Sequence, residues 1–499
     1  MPRPARLRRT TWWALFALFF LGILGWTASI PLMSSPDEGS HAVRAAGVAR
    51  GQLTAPRSEG IIETWVQRVP QAYGHVEEAQ CYIEFPFAEN PPPKGHTPAC
   101  VPSFAGKSKL VKAHTYEFRG TPHVYFALGL PSLIVPDRNG MLAMRVMVAL
   151  ASGALLASGA VSALRRPNRG LAVVGVLGAA TPMTWYLAGM VNPNGLEIAA
   201  AIAAWATVLP LALGDSRETD GRLVTRLGIA LALLTSIRGL GPAFVVTVLV
   251  VGALLAPPGR LRTIAQRRDF KVWASVVIVM TAVTIGWVLA VGTDLHQMAH
   301  QAIGLGDALD QLPTMLDQSI GSFGTNYVAL PWFMPWAWSL LVLGGIVAAF
   351  VRPVRRARLV VGLLLLGAAA LPVLADGFNL PDIGFPWQGR YGLPLTVGLV
   401  IAAFGLVDRP TRGLRAFGVT TAVAVLLGQV GARIAVGRTL GMGVVRGNDI
   451  LDYITKPLWE PGVPPLVLLI VTVLVVVGIG AMVIPTIVRA PAAAPDASD

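Results

Sequence analysis

Apolar runs of about 20 residues recur along this chain, and short clusters of Lys and Arg separate them. Because the hydrocarbon core of a bilayer is about 30 Å thick, a helix needs about 20 mostly apolar residues to cross it. The chain of 499 residues is 54% hydrophobic and only 13% charged, so one soluble core could not bury its apolar surface. The sequence therefore predicts an all-α integral membrane protein.

The recurring runs predict a bundle of about 12 transmembrane helices. The predicted segments are Thr11–Leu32, Met141–Leu164, Leu171–Met190, Leu196–Leu213, Leu223–Ile237, Leu240–Ala256, Val272–Val291, Pro331–Val351, Leu359–Leu374, Tyr391–Val407, Leu414–Val436 and Pro465–Val488. Two of them are short and flank a Gly/Pro-rich break around Arg238, which predicts two half-buried helices as an alternative to two full spans.

Positive charge clusters in alternate loops, which predicts both the topology and the class of partner. Lys and Arg accumulate in short cytoplasmic loops, so the pattern places both termini in the cytoplasm. The net charge of +13 would also suit nucleic-acid binding, but the basic residues are scattered between apolar runs rather than gathered on one domain. A membrane-lipid environment, and no nucleic acid, is the prediction.

Four regions follow from this topology. Residues 1–33 form a cytoplasmic N-terminus and the first span, and 34–138 form a large first extracytoplasmic loop. Residues 139–488 form the polytopic domain, and 489–499 form a cytoplasmic tail whose Ala/Pro/Asp composition predicts disorder. The first loop is expected to shape an acceptor site.

The segment directly after the first span has two interpretations. Ser35 as N-cap, Pro36 as the first helical residue and Glu38 three positions after the cap would form a capping box, which needs no function. The alternative is catalysis, since Asp37, Glu38 and His41 could share one face of a helix and offer an ionised base at the membrane surface.

Cys81 and Cys100 both lie in the first loop, which the topology assigns to an oxidising compartment. A disulfide between them is the favoured prediction and two free thiols are the alternative. The pair is widely spaced and no second Cys pair exists, so a zinc site is not predicted there.

Three motifs spread through the chain carry a resemblance to a known family. They are Pro36-Asp37-Glu38 with His41, then Asn192-Pro193-Asn194, and finally Gln388-Gly389-Arg390-Tyr391 with Pro394. With an apolar first span and a long external loop, this layout resembles a bacterial family of predicted membrane proteins of unassigned function that is grouped with the GT-C glycosyltransferases. It is more distantly similar to protein O-mannosyltransferases and aminoarabinose transferases.

The resemblance implies a GT-C-like bundle in the bacterial plasma membrane that moves a sugar from a polyprenyl-phosphate donor to a glycan, lipid or protein acceptor of the cell envelope, in cell wall biosynthesis. It implies Asp37 and Glu38 as catalytic residues and a transfer that inverts the configuration at the anomeric carbon. Substrate-binding roles fall on His41, Asn192, Asn194, Glu197, Arg238, Gln388, Arg390 and Tyr391.

Residue chemistry supports some of these roles and offers alternatives for others. An Arg fork suits phosphate oxygens, so Arg390 is a candidate cation, although it could instead be an interfacial anchor beside a belt residue, Tyr391. Arg238 lies within apolar sequence, where a charged side chain is costly unless it contacts an anion, so Arg238 is predicted to bind one. Arg145 and Arg433 could also be buried partners, but they are ranked lower because each lies near enough to a span end to snorkel.

Glu197 and the Asn-Pro-Asn turn leave alternatives open as well. Turn chemistry alone explains Asn192 and Asn194, whereas a carboxylate inside a span predicts a sugar or metal contact for Glu197. His296 and His300 lie near several Asp residues, but solvated loop residues are favoured over a divalent metal site. No cofactor is therefore assigned.

A twelve-span transporter or lipid flippase is the main alternative function. Such proteins usually have related halves with paired broken helices, and this sequence has one broken pair and no internal repeat. A structural protein without an active site is the third alternative, and it would leave the Asp37 segment as a helix cap.

Overall fold

The fold is a bundle of helices with one small sheet region inserted after the first helix. This computed structural model describes residues 9–58, 64–83, 97–105, 108–215, 220–291, 304–324, 328–351, 355–377, 387–407, 410–443 and 450–489. The predicted disordered tail lies almost entirely outside these residues.

Twenty α-helices and five strands are described. The helices are α1 (Arg9–Ser29), α2 (Glu38–Ala49), α3 (Pro122–Gly129), α4 (Pro131–Ile134), α5 (Arg138–Ala163), α6 (Arg169–Ala179), α7 (Pro182–Ala188), α8 (Pro193–Leu213), α9 (Asp220–Ile237), α10 (Gly241–Leu255), α11 (Arg260–Ala265), α12 (Arg268–Val291), α13 (Leu305–Asp310), α14 (Leu312–Gly321), α15 (Phe333–Val351), α16 (Arg355–Gly377), α17 (Gly389–Gly405), α18 (Arg412–Met442), α19 (Ile450–Thr455) and α20 (Pro465–Val488). The strands are β1 (Arg57–Ser58), β2 (Thr64–Pro70), β3 (Leu110–Thr115), β4 (Ser322–Phe323) and β5 (Val328–Ala329).

The prediction of a polytopic all-α membrane protein is confirmed. Eight helices of the described chain, namely α1, α5, α8, α12, α15, α16, α18 and α20, are long and apolar enough to cross a bilayer. The pair α6 and α7, bent by 66° at its break, would make nine if it counts as one span. Each of the twelve predicted segments overlaps a helix, but α9, α10 and α17 do not meet the criteria of length and apolar character, so the full count of twelve is not established.

The break predicted around Arg238 is present. Helix α9 ends at Ile237 and α10 begins at Gly241, so Arg238 lies in the connection between two helices rather than inside one. A charged side chain in such a break avoids the cost of sitting at the centre of a lipid-facing helix.

The described residues between α1 and α5 form a layer of short helices and strands. Strands β1, β2 and β3 make an antiparallel sheet in that order, with Trp65 opposite Thr115 and Val69 opposite Val111. Helix α2 packs on this sheet and on α3, and its Val43 side chain is fully buried. The end of β3 lies beside the first turn of α2, where Thr115 Oγ1 is 2.9 Å from Ser40 Oγ, so the sheet brings the residues after β3 to the start of that helix.

Candidate active site

Asp37 precedes α2 with a left-handed backbone, at φ 61° and ψ 0°. The capping box predicted from Ser35, Pro36 and Glu38 is wrong, because the helix begins only at Glu38 and Asp37 is its N-cap, without a capping hydrogen bond from its side chain. A non-glycine residue in this conformation costs on the order of 1–3 kcal/mol and needs outside support. Asn192 provides part of this support, because its Nδ2 donates a hydrogen bond to the Pro36 carbonyl at 2.8 Å.

The Asp37 carboxylate is held by two donors from distant parts of the chain. Tyr116 donates its hydroxyl to Oδ1 at 2.7 Å, and Arg390 donates Nη2 to Oδ2 at 2.5 Å. Burial of the carboxyl opposes ionisation, but the charge of Arg390 and the Tyr116 hydrogen bond hold the pKa of Asp37 below its ordinary value. With 23% of its side chain exposed, Asp37 is an ionised carboxylate that a ligand can reach.

Two arginines lie against the ring of Tyr391. The guanidinium carbon of Arg238 is 4.4 Å from the ring centroid and that of Arg390 is 5.0 Å from it. Arg390 Nη2 also donates to the Tyr391 hydroxyl at 3.3 Å. Arg390 is 5% exposed, so it is not the interfacial anchor that the sequence left open. These two guanidinium groups beside Asp37 can bind an anion such as a phosphate.

Backbone contacts fix the start of α17 and hence Arg390. The Gly389 amide donates to Gln318 Oε1 at 2.8 Å, and the Tyr391 amide donates to the Gln388 carbonyl at 2.8 Å. Gln388 is the N-cap of this helix and makes no capping hydrogen bond through its side chain. The Gln-Gly-Arg-Tyr motif thus places one guanidinium at a helix start.

His41 lies one turn after Asp37 and is buried. Its Nδ1 is 2.7 Å from the Tyr125 hydroxyl, and its Nε2 is 3.6 Å from Glu117 Oε1. Burial lowers the pKa of His41 to about 3, with Arg238 acting in the same direction and Asp37 opposing it. The imidazole is therefore neutral at neutral pH and serves as a hydrogen-bonding group.

Glu117 is a site residue that the sequence interpretation missed. It follows β3, where the Tyr116 amide donates to Ser40 Oγ at 3.0 Å and the Glu117 amide donates to Thr115 Oγ1 at 3.1 Å, which ties this segment to α2. Burial and the Asp37 carboxylate raise the pKa of Glu117 to about 7, against the opposing charge of three nearby arginines. No local spacing marks Glu117 in the sequence, since the sheet alone brings it here.

One group of side chains in the described residues has the chemistry to hold a metal ion. Ligand atoms of Asp37, His41 and Glu117 lie within 4.8 Å of one another. One nitrogen and two carboxylate donors suit a divalent cation, although Arg390 already occupies one Asp37 oxygen. The other histidines considered from the sequence, His296 and His300, lie outside the described residues.

Glu38 points away from this cluster, contrary to the shared face expected with Asp37 and His41. Arg145 donates Nε and Nη2 to its two carboxylate oxygens, each at 2.6 Å, and the Val191 amide donates to Oε1 at 3.0 Å. Glu38 is 1% exposed. Its carboxylate is therefore committed to a buried ion pair beneath the site.

Arg145 and Arg433 are buried, which agrees with the alternative of buried partners and not with snorkelling. Arg145 is completely buried, and it also donates to the carbonyls of Thr27, in the last turn of α1, and of Ile30 and Pro31, which follow that helix. Arg433 is 3% exposed and stacks over Trp26, with its guanidinium carbon 4.1 Å from the ring centroid. Both side chains bind inside the bundle because polar backbone groups and an aromatic face are available there.

The Asn-Pro-Asn turn and the start of α8 lie beside the cluster. The Asn194 amide donates to Asn192 Oδ1 at 2.9 Å, so Asn192 caps α8 as turn chemistry predicts. Glu197, one turn later, lies 3.8 Å from Arg238 Nη1 through its Oε2. The structure thus gathers Asp37, His41, Arg238, Arg390 and Tyr391 around one site, with Glu197 next to it.

Cys81 and Cys100 are joined by a disulfide, with sulfur atoms 2.03 Å apart. It closes a loop between residues 19 positions apart in the layer that carries Tyr116 and Glu117. A cross-link of this length restricts the unfolded chain and stabilises such a layer by about 3 kcal/mol.

Comparison with known proteins gives a family and two similar structures. Structures of ArnT from Cupriavidus metallidurans are similar, one bound to undecaprenyl phosphate with 13% identity and a TM-score of 0.49, covering 97% of this chain and 75% of that chain. The apo structure has 15% identity and a TM-score of 0.43, covering 96% of this chain and 76% of that chain. No curated protein matches. Residues 19–399, more than half of the chain, match the family described as "Predicted membrane protein (DUF2142)", and the chain belongs to that family.

Proposed function

We propose that this protein is a membrane glycosyltransferase of GT-C type, which moves a sugar from a polyprenyl-phosphate donor to an acceptor of the cell envelope at the extracytoplasmic face. The observation that carries this proposal is the ionised Asp37 carboxylate beside the paired guanidinium groups of Arg238 and Arg390. A base and an anion-binding pair at one end of an apolar bundle are what transfer from a lipid-linked phosphate requires.

The transfer step uses Asp37 as the proton acceptor. An acceptor hydroxyl oxygen forms a bond to the anomeric carbon of the sugar, while the bond between that carbon and the phosphate oxygen breaks. The bonding electron pair leaves with the phosphate, the hydroxyl proton moves to Asp37, and the configuration at the anomeric carbon inverts. The products are the glycosylated acceptor and the polyprenyl phosphate.

Arg238 and Arg390 stabilise the charge that develops on the leaving phosphate. A phosphate is already a stable anion, so the reaction needs fixed cations more than it needs a general acid. The contact of both guanidinium groups with the Tyr391 ring restricts their positions before the donor binds. Little reorganisation is then required during the reaction.

Glu117 returns Asp37 to its ionised form after each transfer by accepting the proton. Since the pKa of Asp37 is lowered and that of Glu117 is raised to about 7, a proton on Asp37 moves favourably to Glu117. Their ligand oxygens lie within 4.8 Å, a distance that one water molecule bridges. Glu117 then releases the proton to solvent.

Donor cleavage by purified protein tests this function. The protein in detergent is incubated with undecaprenyl phosphate carrying a radiolabelled sugar, together with a cell-envelope extract as the source of acceptor, and labelled product and released undecaprenyl phosphate are measured. Asp37→Asn should lower the rate at least 100-fold, since positioned bases contribute about 10²–10⁴-fold. Asp137→Asn is the matched control, because Asn retains the N-cap of α5.

Two results would reject parts of the proposal. Near wild-type cleavage by Asp37→Asn would remove Asp37 as the base. Movement of the intact labelled lipid across vesicles that contain the wild-type protein, with no cleavage, would instead identify a transporter.

A further inference from the structure

Glu197 is a buried carboxylate whose oxygens lack hydrogen bonds. The residue is 1% exposed, and neither Oε1 nor Oε2 has a hydrogen-bond partner among the described residues. Arg238 Nη1 is 3.8 Å from Oε2, which is beyond hydrogen-bond distance. Buried carboxylates are rarely left in this state, because loss of hydration is costly unless donors replace water.

Asn194 presents a complementary unpaired group. It is 3% exposed, and its Nδ2 has no hydrogen-bond partner within the described ranges. Asn194 and Glu197 are three positions apart on α8, so their side chains lie on the same face of that helix. One face therefore carries two free acceptor atoms and one free donor group.

This face borders the phosphate-binding arginines. Arg238, which contacts Glu197, stacks on the ring of Tyr391, and Arg390 lies against the same ring while bonding Asp37. A sugar whose phosphate rests on the two guanidinium groups would have its ring within reach of α8.

We infer that Glu197 and Asn194 form a subsite that binds two neighbouring hydroxyl groups of the donor sugar. This inference rests on the proposed function and names the chemistry of its substrate. A hydroxyl both donates and accepts, so a vicinal diol can donate to the Glu197 carboxylate and accept from Asn194 Nδ2. An aminodeoxy sugar fits less well, because its ammonium group has no lone pair with which to accept a hydrogen bond from Asn194 Nδ2.

Binding measurements on three classes of lipid test the subsite. The probes are bare undecaprenyl phosphate, the same lipid carrying glucose, mannose or arabinose, and the lipid carrying an aminodeoxy sugar. Wild-type protein should bind at least one neutral glycosylated lipid about tenfold more tightly than the bare lipid, as hydrogen bonds to a charged group allow. Glu197→Gln should abolish that preference without weakening the affinity for the bare lipid.

Thr207→Val is the matched control. Thr207 is on the same helix and is buried, and its hydroxyl also has no hydrogen-bond partner in the described part of the chain. It lies ten positions beyond Glu197, about 15 Å along the helix axis. This variant should retain both affinities, which separates loss of the subsite from general loss of a buried polar group.

Each remaining outcome counts against the inference. A preference that survives in Glu197→Gln, an equal loss of affinity for bare and glycosylated lipids, or tightest binding of the aminodeoxy lipid would overturn the diol subsite alone. Failure of wild-type protein to bind any of the lipids would overturn the proposed function together with it.

Discussion

Arg390 donates to Asp37 across a sequence separation of 353 residues, with Nη2 2.5 Å from Oδ2. The pair joins the segment after the first helix to the start of α17. The site therefore forms only when these two distant parts of the chain have folded together. Side-chain exposures of 6% for Arg390 and 23% for Asp37 place the pair at an opening rather than in the core. A bound phosphate can therefore share Arg390 with Asp37.

Gly389→Ala should displace Arg390 without removing it. A Cβ at Gly389 would overlap the backbone carbonyl of Met315, which cannot move as a flexible side chain could. Small displacements of a binding group can cost about 100-fold in rate, and we expect a loss of that order in sugar transfer. Measuring turnover together with donor affinity would establish whether the cation has moved.

Gly392→Ala controls for the change in helix propensity. The nearest atoms to a Cβ at Gly392 would be Trp387 Nε1 at 3.7 Å, Trp387 Cζ2 at 3.9 Å and Thr396 Oγ1 at 4.0 Å, which are ordinary contacts. This variant should transfer sugar at a rate near that of wild type. Equal rates for the two variants would contradict a role for the start of α17 in positioning Arg390.

Sequence patterns located much of the bundle because apolar runs of span length report directly on burial in lipid. Every predicted segment overlaps a helix, whereas the length and apolar criteria separate eight helices from the shorter ones. The small sheet was not predicted. Its strands are short, from two residues in β1 to seven in β2, and β3 follows β2 only after a long stretch of chain.

Only those residues of the candidate site that belong to short sequence motifs could be predicted from the sequence. Asp37 and Arg390 belong to such motifs, but the direction of the Glu38 side chain depends on Arg145, which is 107 positions away. Glu117 reaches the site through the pairing of β3 with β2 and the packing of α2. Long-range contacts of this kind leave no periodic signal in a single sequence.

The pH dependence of transfer should report the titration of Glu117. Its pKa is about 7 and the proposed role requires the ionised form, so kcat should rise with pH through about 7 and then level off. Asp37, with its lowered pKa, is ionised throughout this range. Glu117→Gln should lose the inflection and lower the rate about tenfold.

The pH dependence of protein stability gives an independent measure of the Glu117 titration. Because folding raises the pKa of Glu117 from 4.5 to about 7, its protonated form favours the folded state below pH 4.5, and this contribution is lost as pH rises to about 7. The melting temperature of Glu117→Gln should fall less across that interval than that of wild type. An unchanged inflection and an unchanged stability profile would remove Glu117 from the mechanism.

Glu38→Gln should destabilise the protein rather than disable its chemistry. The variant leaves Arg145 buried without its counter-charge, and breaking a buried pair of this kind costs about 3–5 kcal/mol. We expect a lower melting temperature in detergent but nearly wild-type transfer per folded molecule. Asp220→Asn is a matched control, since Asp220 forms a similar buried bidentate pair with Arg260 at the end of α9 away from Arg238. If Glu38→Gln retains wild-type stability and loses transfer, while Asp220→Asn loses only stability, Glu38 acts in the reaction itself, as its position in the motif first suggested.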